Sequence, residues 1–260
     1  MAATIYPFTS ALVTGASSGI GEELTRQLAA AGVPVVVVAR RADRLAALAA
    51  ELDDIEVLVA DLGTRDGQDV VAMRIADADR PVDLVVNNAG FGTSGAFHEL
   101  DVERQTEEIE LNVTALTRLS HAALATMVPR RRGWLLNVSS FASFQPAPRV
   151  AVYAATKAFV TSLSESLHEE AKASGVVVTA LCPGLIRTEF QTVSSTAEYQ
   201  TEFPGFVWLD LTEVVTSGLD ATVKGRALVV PGAVYKSASW VGGVTPRWIK
   251  RVTSGMVLRR

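Results

Sequence analysis

The chain has few of the residues that mark secreted or metal-binding proteins. It contains one cysteine, Cys182, and three histidines among its 260 residues. One cysteine excludes a disulfide framework and a multi-cysteine metal site, and His98, His121 and His168 lack the spacing of a metal motif. We therefore expect no metal. Cys182 follows an apolar run and is expected to be an inert, small hydrophobic residue.

Long apolar runs and a targeting signal are also missing. The longest apolar stretches, such as 33–39, are far shorter than the ~18 residues of a membrane helix. The amino terminus has neither a basic segment nor an apolar one, so no secretory signal is expected. With 48% hydrophobic and 20% charged residues, the composition excludes a disordered chain. We predict a soluble cytoplasmic protein whose residues 1–260 form a single domain.

Acidic residues are absent after Asp220, although the whole chain has a net charge of −4. The basic residues that follow it are Lys224, Arg226, Lys236, Arg247, Lys250, Arg251, Arg259 and Arg260. We treat 232–260 as a basic C-terminal extension, and a solvated surface or a contact with an acidic partner is its simplest interpretation. A second interpretation is peripheral contact with anionic lipid, because tryptophans are interleaved with the bases. The mild acidity of the whole chain argues against a nucleic-acid partner.

Strand-like and helix-like segments alternate along the chain. Short apolar runs predict strands at residues 10–14, 35–39, 55–60, 82–87, 135–139, 176–182 and 227–230. Helical periodicity predicts helices at 20–31, 42–52, 65–79, from Asp101 to just before Pro129, 153–174 and 212–223. This order predicts an α/β fold: a doubly wound, Rossmann-type parallel sheet of seven strands with helices on both faces. Residues 190–212 match neither period and are predicted to form a substrate loop or lid with a short helix.

A glycine-rich turn follows the first predicted strand, with the sequence Thr14-Gly15-Ala16-Ser17-Ser18-Gly19-Ile20-Gly21. Gly15 permits a tight turn, Gly19 lets the backbone approach a phosphate, and Gly21 lets the helix pack close to the sheet. The start of that helix offers free N–H groups and a partial positive charge. The spacing is neither G-x-G-x-x-G nor that of a P-loop. Between a strand and a helix, this turn predicts a dinucleotide site.

The second predicted strand ends at Ala39 and is followed by Arg40 and Arg41. In dinucleotide-binding folds, an acid at this place binds the adenosine ribose and disfavours a 2′-phosphate. Ala39 provides no acid, whereas Arg40 offers a guanidinium that can bind phosphate through paired charge-assisted bonds. NADP(H) is therefore expected in preference to NAD(H). The alternative is that both arginines are solvated bases at the start of a helix.

Tyr153 and Lys157 are four residues apart on a predicted helix and therefore share one face. A free tyrosine titrates near ~10, and a neighbouring ammonium would lower that pKa, which would make Tyr153 a usable general acid or base. Lys157 can also hold the ribose of a cofactor. Ser140 lies at the C-terminal end of the fifth predicted strand, where open parallel sheets bind ligands. Its hydroxyl can donate to a substrate carbonyl oxygen.

Together these motifs resemble the short-chain dehydrogenase/reductase family in its single-domain form. The resemblance spans about residues 10–188 and rests on the glycine loop, Asp61, Asn87-Asn88-Ala89-Gly90, Asn112, Ser140, Tyr153-Ala-Ala-Thr-Lys157 and Pro183-Gly184-Leu185-Ile186-Arg187-Thr188. It implies an NADP(H)-dependent oxidoreductase that transfers a hydride reversibly between nicotinamide and a ketone or secondary alcohol. It also implies catalytic roles for Ser140, Tyr153 and Lys157, with Asn112 holding a water that links Lys157 to solvent.

The resemblance implies cofactor contacts as well. Asp61 would bind the adenine amino group beside Leu62, and Asn88 would stabilise the central sheet. Many NADP-preferring members carry a base at the position of Ser18, so cofactor choice here rests mainly on Arg40. The remaining implied cofactor-binding residues are Gly15, Ser17, Gly19, Ile20, Gly21, Arg41, Ala89, Gly90, Tyr153, Lys157, Pro183, Gly184, Ile186 and Thr188.

Substrate choice is expected from 92–97, 141–150 and 190–212, which are rich in apolar and aromatic residues. An apolar pocket favours a small-molecule ketone or alcohol of hydrophobic character, although some of these aromatics fit equally well in the core or an interface. The resemblance implies a homodimer or homotetramer. Two other functions stay open: a non-catalytic dinucleotide-sensing protein, and an epimerase or dehydratase of the related extended family.

Overall fold

The computed structural model describes residues 6–194 and 203–257, and a parallel sheet runs through their centre. Its strands are Ala11–Thr14 (β1), Val35–Ala39 (β2), Ile55–Val59 (β3), Leu84–Asn87 (β4), Gly133–Val138 (β5), Val176–Leu181 (β6) and Leu228–Val229 (β7). They lie in the order β3-β2-β1-β4-β5-β6-β7, with every pairing parallel. The doubly wound, Rossmann-type fold predicted from the sequence is therefore confirmed.

Helices cover both faces of the sheet. They are Gly19–Ala30 (α1), Ala42–Glu51 (α2), Arg65–Ile75 (α3), Val102–Ile109 (α4), Leu116–Arg130 (α5), Ala151–Ala171 (α6), Phe190–Val193 (α7), Leu211–Val223 (α8), Ala233–Val244 (α9) and Arg247–Val257 (α10). Val35 and Val37 of β2 join the core under α1 and α8, whereas Val36 and Val38 join the core under α3 and α5. Both sides of β2 are thus buried, which explains why the strand is apolar at every position.

The strand order places the candidate site. The chain runs outwards from β1 to β3, then crosses back so that β4 pairs with the free side of β1. A crevice opens at such a reversal, beyond the carboxyl ends of the strands. The glycine loop leaves β1 at this edge, residues 88–90 follow β4, Ser140 follows β5, and 183–188 follow β6. Segments that are far apart in the sequence therefore meet in one place.

The helix predicted from Asp101 to just before Pro129 differs from the prediction in two ways. Asp101 caps its start as expected. However, a π-helical segment, Glu110–Ala115, separates α4 from α5, and α5 continues past Pro129. A proline in the last helical turn removes only one intrahelical hydrogen bond, so the helix tolerates it. The helix ends at Arg131, which has a left-handed φ of 53°.

The third helix is shorter than predicted, because a local turn competes with it. It ends at Ile75 instead of Asp79. The Asp77 carboxylate accepts hydrogen bonds from the backbone N–H groups of Asp79 (3.0 Å) and Arg80 (3.3 Å). Such side-chain bonds offer the backbone an alternative to the helix.

The two segments assigned to substrate binding and to the extension are partly helical. Residues 190–212 contain α7 and the 3₁₀ turn Gly205–Val207, and 195–202 lie outside the described residues. The basic extension forms α9 and α10, and Lys250 Nζ donates to the Phe144 carbonyl at 3.2 Å. Within the described ranges, no helix is long and apolar enough to cross a bilayer. The single domain over 1–260 stays a prediction.

A buried carboxylate joins the N-terminal segment to the sheet. Asp83 precedes β4 and accepts hydrogen bonds from the N–H (3.1 Å) and the hydroxyl (2.7 Å) of Thr9, and from Arg132 (2.8 Å). Burial by itself would raise the pKa of Asp83, but the bonds from Arg132 and Thr9 outweigh it and hold the pKa below its ordinary value. The ionised form is therefore the one that stabilises the fold.

We expect Asp83→Asn to lower the free energy of unfolding by about 1–3 kcal/mol at neutral pH, because charge-assisted bonds are lost. A depressed folded-state pKa stabilises the protein above the unfolded value of about 4, and this contribution disappears as the pH falls through the folded value. Urea unfolding at neutral pH and near pH ~3 measures the effect. A difference between variant and wild type that stays constant at both pH values, or that also appears in the exposed control Asp79→Asn, would contradict it.

Candidate active site

The glycine loop between β1 and α1 is fixed by contacts from the end of β4. Asn88 Nδ2 donates to the carbonyls of Thr14 (2.8 Å) and Gly15 (3.3 Å), and the Asn88 N–H donates to the Thr14 hydroxyl (2.9 Å). A Cβ at Gly21 would lie 2.3 Å from the Gly15 carbonyl oxygen, so only glycine allows this close approach. Asn88 thus joins β1 to β4 and shapes the loop at the same time.

Arg41 contacts the glycine loop directly. Its guanidinium donates to the hydroxyls of Ser17 (2.9 Å) and Ser18 (2.8 Å) and to the Glu189 carboxylate (2.8 Å). Arg44 also reaches Glu189, at 3.3 Å. The hydrogen bond from Arg41 is the main reason that the pKa of Glu189 is lowered. Arg41 therefore links the loop that follows β1 to the segment that follows β6.

Arg40 lies apart from the glycine loop. Its side chain is 69% exposed, and Asp61 Oδ2 lies 3.9 Å from it. The other oxygen of Asp61 accepts the backbone N–H of Gly63 at 3.0 Å. The sequence assigned the contact with a cofactor 2′-phosphate mainly to Arg40, and this stays a prediction. The turn after β2 places the Arg41 side chain against the glycine loop and the Arg40 side chain at the rim of the crevice.

Ser140, Tyr153 and Lys157 converge at the carboxyl end of β5. The Ser140 hydroxyl accepts the Ala142 N–H at 3.1 Å at the start of a 3₁₀ turn, and it lies close enough to the Tyr153 phenol to lower the pKa of that phenol. Lys157 is buried one turn further along α6 and donates from Nζ to the Val138 carbonyl at 2.8 Å. Its Nζ lies 5.8 Å from the centre of the Tyr153 ring. The three side chains predicted to act together are therefore neighbours.

Burial dominates the ionisation of this pair. It raises the pKa of Tyr153 to about 12, which the hydrogen bond from Ser140 opposes and the charge of Glu108 reinforces. Burial also lowers the pKa of Lys157 to about 8, because it disfavours the ammonium. That Lys157 lowers the pKa of Tyr153 stays a prediction. Burial is the largest influence on the pKa of the phenol, and the amine donates its hydrogen bond to the Val138 carbonyl.

Asn112 lies behind the cavity wall, within the π-helical segment. Its Nδ2 donates to the Phe91 carbonyl (2.8 Å) and to the Thr156 hydroxyl (3.2 Å), and its Oδ1 accepts the Phe91 N–H (3.1 Å). A Cβ on Gly90 would lie 2.7 Å from Asn112 Oδ1 and 3.5 Å from Lys157 Nζ. Asn112 thus joins the loop after β4 to α6 beside the lysine. Its role in holding a water stays a prediction.

One cavity of about 760 Å³ joins the glycine loop to these side chains. Every residue predicted to bind a cofactor lines it except Gly21, which packs below the loop. The lining set is Gly15, Ser17, Ser18, Gly19, Ile20, Arg40, Arg41, Asp61, Leu62, Asn88, Ala89, Gly90, Tyr153, Lys157, Pro183, Gly184, Ile186 and Thr188. The cavity continues past Ser140 into an apolar end.

The short helix α7 closes one side of the cavity. Gln191 accepts the Thr188 N–H (3.0 Å) and donates to the Ile186 carbonyl (2.6 Å). The Ser194 hydroxyl accepts the Gly92 N–H at 2.9 Å, and the Phe190 ring lies 5.4 Å from the Tyr153 ring. The sequence did not single out Gln191 or Ser194, because polar residues in an aperiodic stretch give no signal of their partners.

The C-terminal extension contributes Tyr235 of α9 to the cavity wall. Its hydroxyl donates to the Val207 carbonyl (2.9 Å) and accepts the Leu185 N–H (3.1 Å). Its ring packs so tightly on Gly184 that a Cβ there would lie 2.1 Å from the ring. The sequence interpretation of 232–260 as a basic extension missed this wall residue, which lies 50 positions from Leu185 and 28 from Val207.

Only some of the aromatic residues expected to contact a substrate line the apolar end of the cavity. Those that line it are Phe91, Phe141, Phe190 and Phe203, and aliphatic neighbours include Ala142, Ala147, Val150, Val193 and Val207. Phe97 and Phe206 are instead exposed, and Trp208 is buried outside the cavity. Polar side chains also line this part of the cavity: Thr93, Arg104, Gln145, Gln191, Ser194, Tyr235 and Ser254. The predicted apolar pocket is present, but only some of the predicted aromatics form it.

The fold is a Rossmann-type sheet with a crevice at the carboxyl ends of its strands, and similar proteins are oxidoreductases. The family model described as short chain dehydrogenase matches residues 9–198. An uncharacterized oxidoreductase of Myxococcus xanthus is 38% identical over 192 residues, which cover 72% of this chain and 76% of the relative. The chain belongs to the short-chain dehydrogenase family, whose members bind a nicotinamide cofactor.

Solved structures show the same architecture. A short-chain dehydrogenase from Sphingobium yanoikuyae in complex with NADPH has a TM-score of 0.82 and 33% identity, with 90% of this chain and 92% of that chain covered. The bulky-bulky ketone specific alcohol dehydrogenase from Comamonas testosteroni has a TM-score of 0.77 and 29% identity, with 92% and 95% covered.

Proposed function

We propose that this oxidoreductase transfers a hydride reversibly between NADP(H) and a hydrophobic ketone or secondary alcohol. One observation carries the proposal: the Ser140 hydroxyl, the Tyr153 phenol and the Lys157 amine meet in a cavity that joins the glycine loop to an apolar end. When bound, the nicotinamide cofactor supplies or accepts the hydride. The protein supplies binding, orientation and the proton.

The crevice fits a dinucleotide that carries a 2′-phosphate. The N-terminus of α1 follows Gly19 and offers its N–H groups to phosphate oxygens. The end of β2 has no acid to reject a 2′-phosphate, and the Arg41 guanidinium lies on the loop serines beside it. The similar dehydrogenase from Sphingobium yanoikuyae was solved with NADPH. These points support NADP(H) over NAD(H).

Tyr153 is the proposed proton donor for carbonyl reduction. Its raised pKa of about 12 keeps the phenol protonated at neutral pH, ready for the oxygen on which negative charge develops. The Ser140 hydroxyl donates to the same oxygen and stabilises that charge. Lys157 would hold the ribose and stabilise the phenolate that remains after the transfer. Asn112 would complete the path by which the proton is replaced.

The substrate side favours an apolar ketone or alcohol. Four phenylalanines and several aliphatic side chains line it, so most of its surface is apolar and offers no hydrogen-bond partner to a sugar or another strongly polar substrate. The similar alcohol dehydrogenase from Comamonas testosteroni is described as specific for bulky-bulky ketones. A ketone with apolar groups on both sides of the carbonyl is therefore the substrate class that we propose.

We expect Tyr153→Phe to lower kcat for ketone reduction by ~10³-fold or more, because it removes the proposed proton donor. The measurement is the loss of NADPH absorbance with a panel of apolar ketones, alongside NADPH binding followed by fluorescence. Binding should persist in the variant. The matched control Tyr6→Phe should turn over normally, since Tyr6 packs on Phe8 away from the cavity. Near-normal turnover by Tyr153→Phe would sink the mechanism.

We expect Arg41→Ala to raise the Kd for NADPH by about tenfold or more, because a charge-assisted phosphate contact contributes roughly 1.5–3 kcal/mol. The Kd for NADH should change far less, since NADH lacks the 2′-phosphate. Arg40→Ala, which alters a mostly exposed side chain, should have the smaller effect. Isothermal titration of both variants with both cofactors decides the matter. Equal losses of NADPH and NADH binding in Arg41→Ala would show that Arg41 only supports the loop.

A further inference from the structure

Glu108 of α4 is a buried acid to which the reaction above assigns no role. Its side chain is completely buried. One carboxylate oxygen, Oε2, accepts the hydroxyl of Thr93 at 2.7 Å. The other oxygen, Oε1, is buried and has no hydrogen-bond partner in the part of the chain that the structure describes. A half-satisfied buried carboxyl destabilises a fold, so its presence beside the cavity points to another use.

The position of Glu108 connects it to the catalytic side chains. It lies one helical turn before Asn112, and its partner Thr93 lines the cavity on the loop after β4. Helix α4 packs against α6, which carries Tyr153 and Lys157. The negative charge of Glu108 raises the pKa of both side chains. Glu108 therefore acts on the pair through space, without touching substrate or cofactor.

The ionisable groups that face Glu108 come from two helices. Arg104 lies on α4 itself, and Lys157 and Tyr153 lie on α6, while the loop after β4 presents only the uncharged Thr93. Burial is the largest influence and raises the pKa of Glu108 to about 7, although Thr93 and the two cations oppose it. The carboxyl consequently changes charge within the pH range of ordinary assays.

We propose that Glu108 is a positioning residue whose ionised carboxylate holds the Tyr153 phenol and the Lys157 ammonium in their protonated forms. The inference rests on the proposed function, because it assigns these two groups to proton transfer. Both effects have the same sign: a negative charge makes each group bind its proton more tightly. The carboxylate thereby extends carbonyl reduction, which needs the phenol and the ammonium, to higher pH.

The test is the pH profile of Glu108→Gln, which keeps the size of the side chain and an acceptor for Thr93 but removes the charge. We expect the alkaline limb of kcat/KM for ketone reduction to move to lower pH by roughly half a unit to one unit. Glu103→Gln, in the exposed first turn of the same helix, is the matched control and should leave the limb in place. Loss of stability or of activity at all pH values, with no movement of the limb, would overturn the proposal.

A second measurement separates this inference from the proposed function, because it needs no turnover. Infrared difference spectroscopy follows the carboxyl band of Glu108, which is assigned by its absence from Glu108→Gln and should titrate near pH 7. Coupling is reciprocal, so Lys157→Met should move this midpoint upward, whereas Met in place of the exposed Lys172 should not. If Lys157→Met leaves the midpoint unchanged, the coupling between Glu108 and Lys157 is rejected, even if the enzyme reduces ketones. A shifted midpoint without any ketone turnover would instead reject the proposed function alone.

Discussion

The crevice depends on the close contact between the glycine loop and the end of β4. The reversal of strand order places β4 beside β1, so that Asn88 reaches the carbonyls of Thr14 and Gly15. This contact is possible only because Gly21 leaves the first turn of α1 without a side chain. The topology and the missing side chain of Gly21 thus keep backbone N–H groups available at the start of α1. The rest of the site is arranged around the space that results.

Desolvation is the second constraint, and it determines the protonation states of the buried side chains in the site. A buried phenol resists ionisation and a buried amine resists protonation, so burial moves the pKa values of Tyr153 and Lys157 apart, to about 12 and about 8. Burial therefore favours the uncharged form of each side chain. A protonated phenol at neutral pH suits reduction. The charge of Glu108 opposes the lowering of the Lys157 pKa by burial and reinforces the raising of the Tyr153 pKa. A change in the charge of Glu108 would therefore change both pKa values.

The fold was predictable because its signals are local, whereas much of the site depends on contacts between distant segments. Strand β2 is apolar at each position since both its sides are buried, and this can be recognised without knowing its neighbours. Whether Arg40 or Arg41 contacts the glycine loop depends on how the turn after β2 lies against that loop. A shift of one residue in this turn would exchange the two side chains. The high pKa of Tyr153 depends on burial by other parts of the chain. Composition cannot report that burial, so the sequence predicted only the influence of the neighbouring amine.

Part of the cavity wall lies beyond the segment that the family model matches. The family model ends at residue 198, but Phe203, Val207, Tyr235 and Ser254 line the same cavity as the catalytic side chains. Tyr235 does so by closing on Gly184, inside the shared region, and by bonding Leu185 and Val207. The matched segment can therefore keep Ser140, Tyr153 and Lys157 while the wall formed by later residues varies. Changes in α9 and α10 should alter the shape of this wall before they alter the positions of those three side chains.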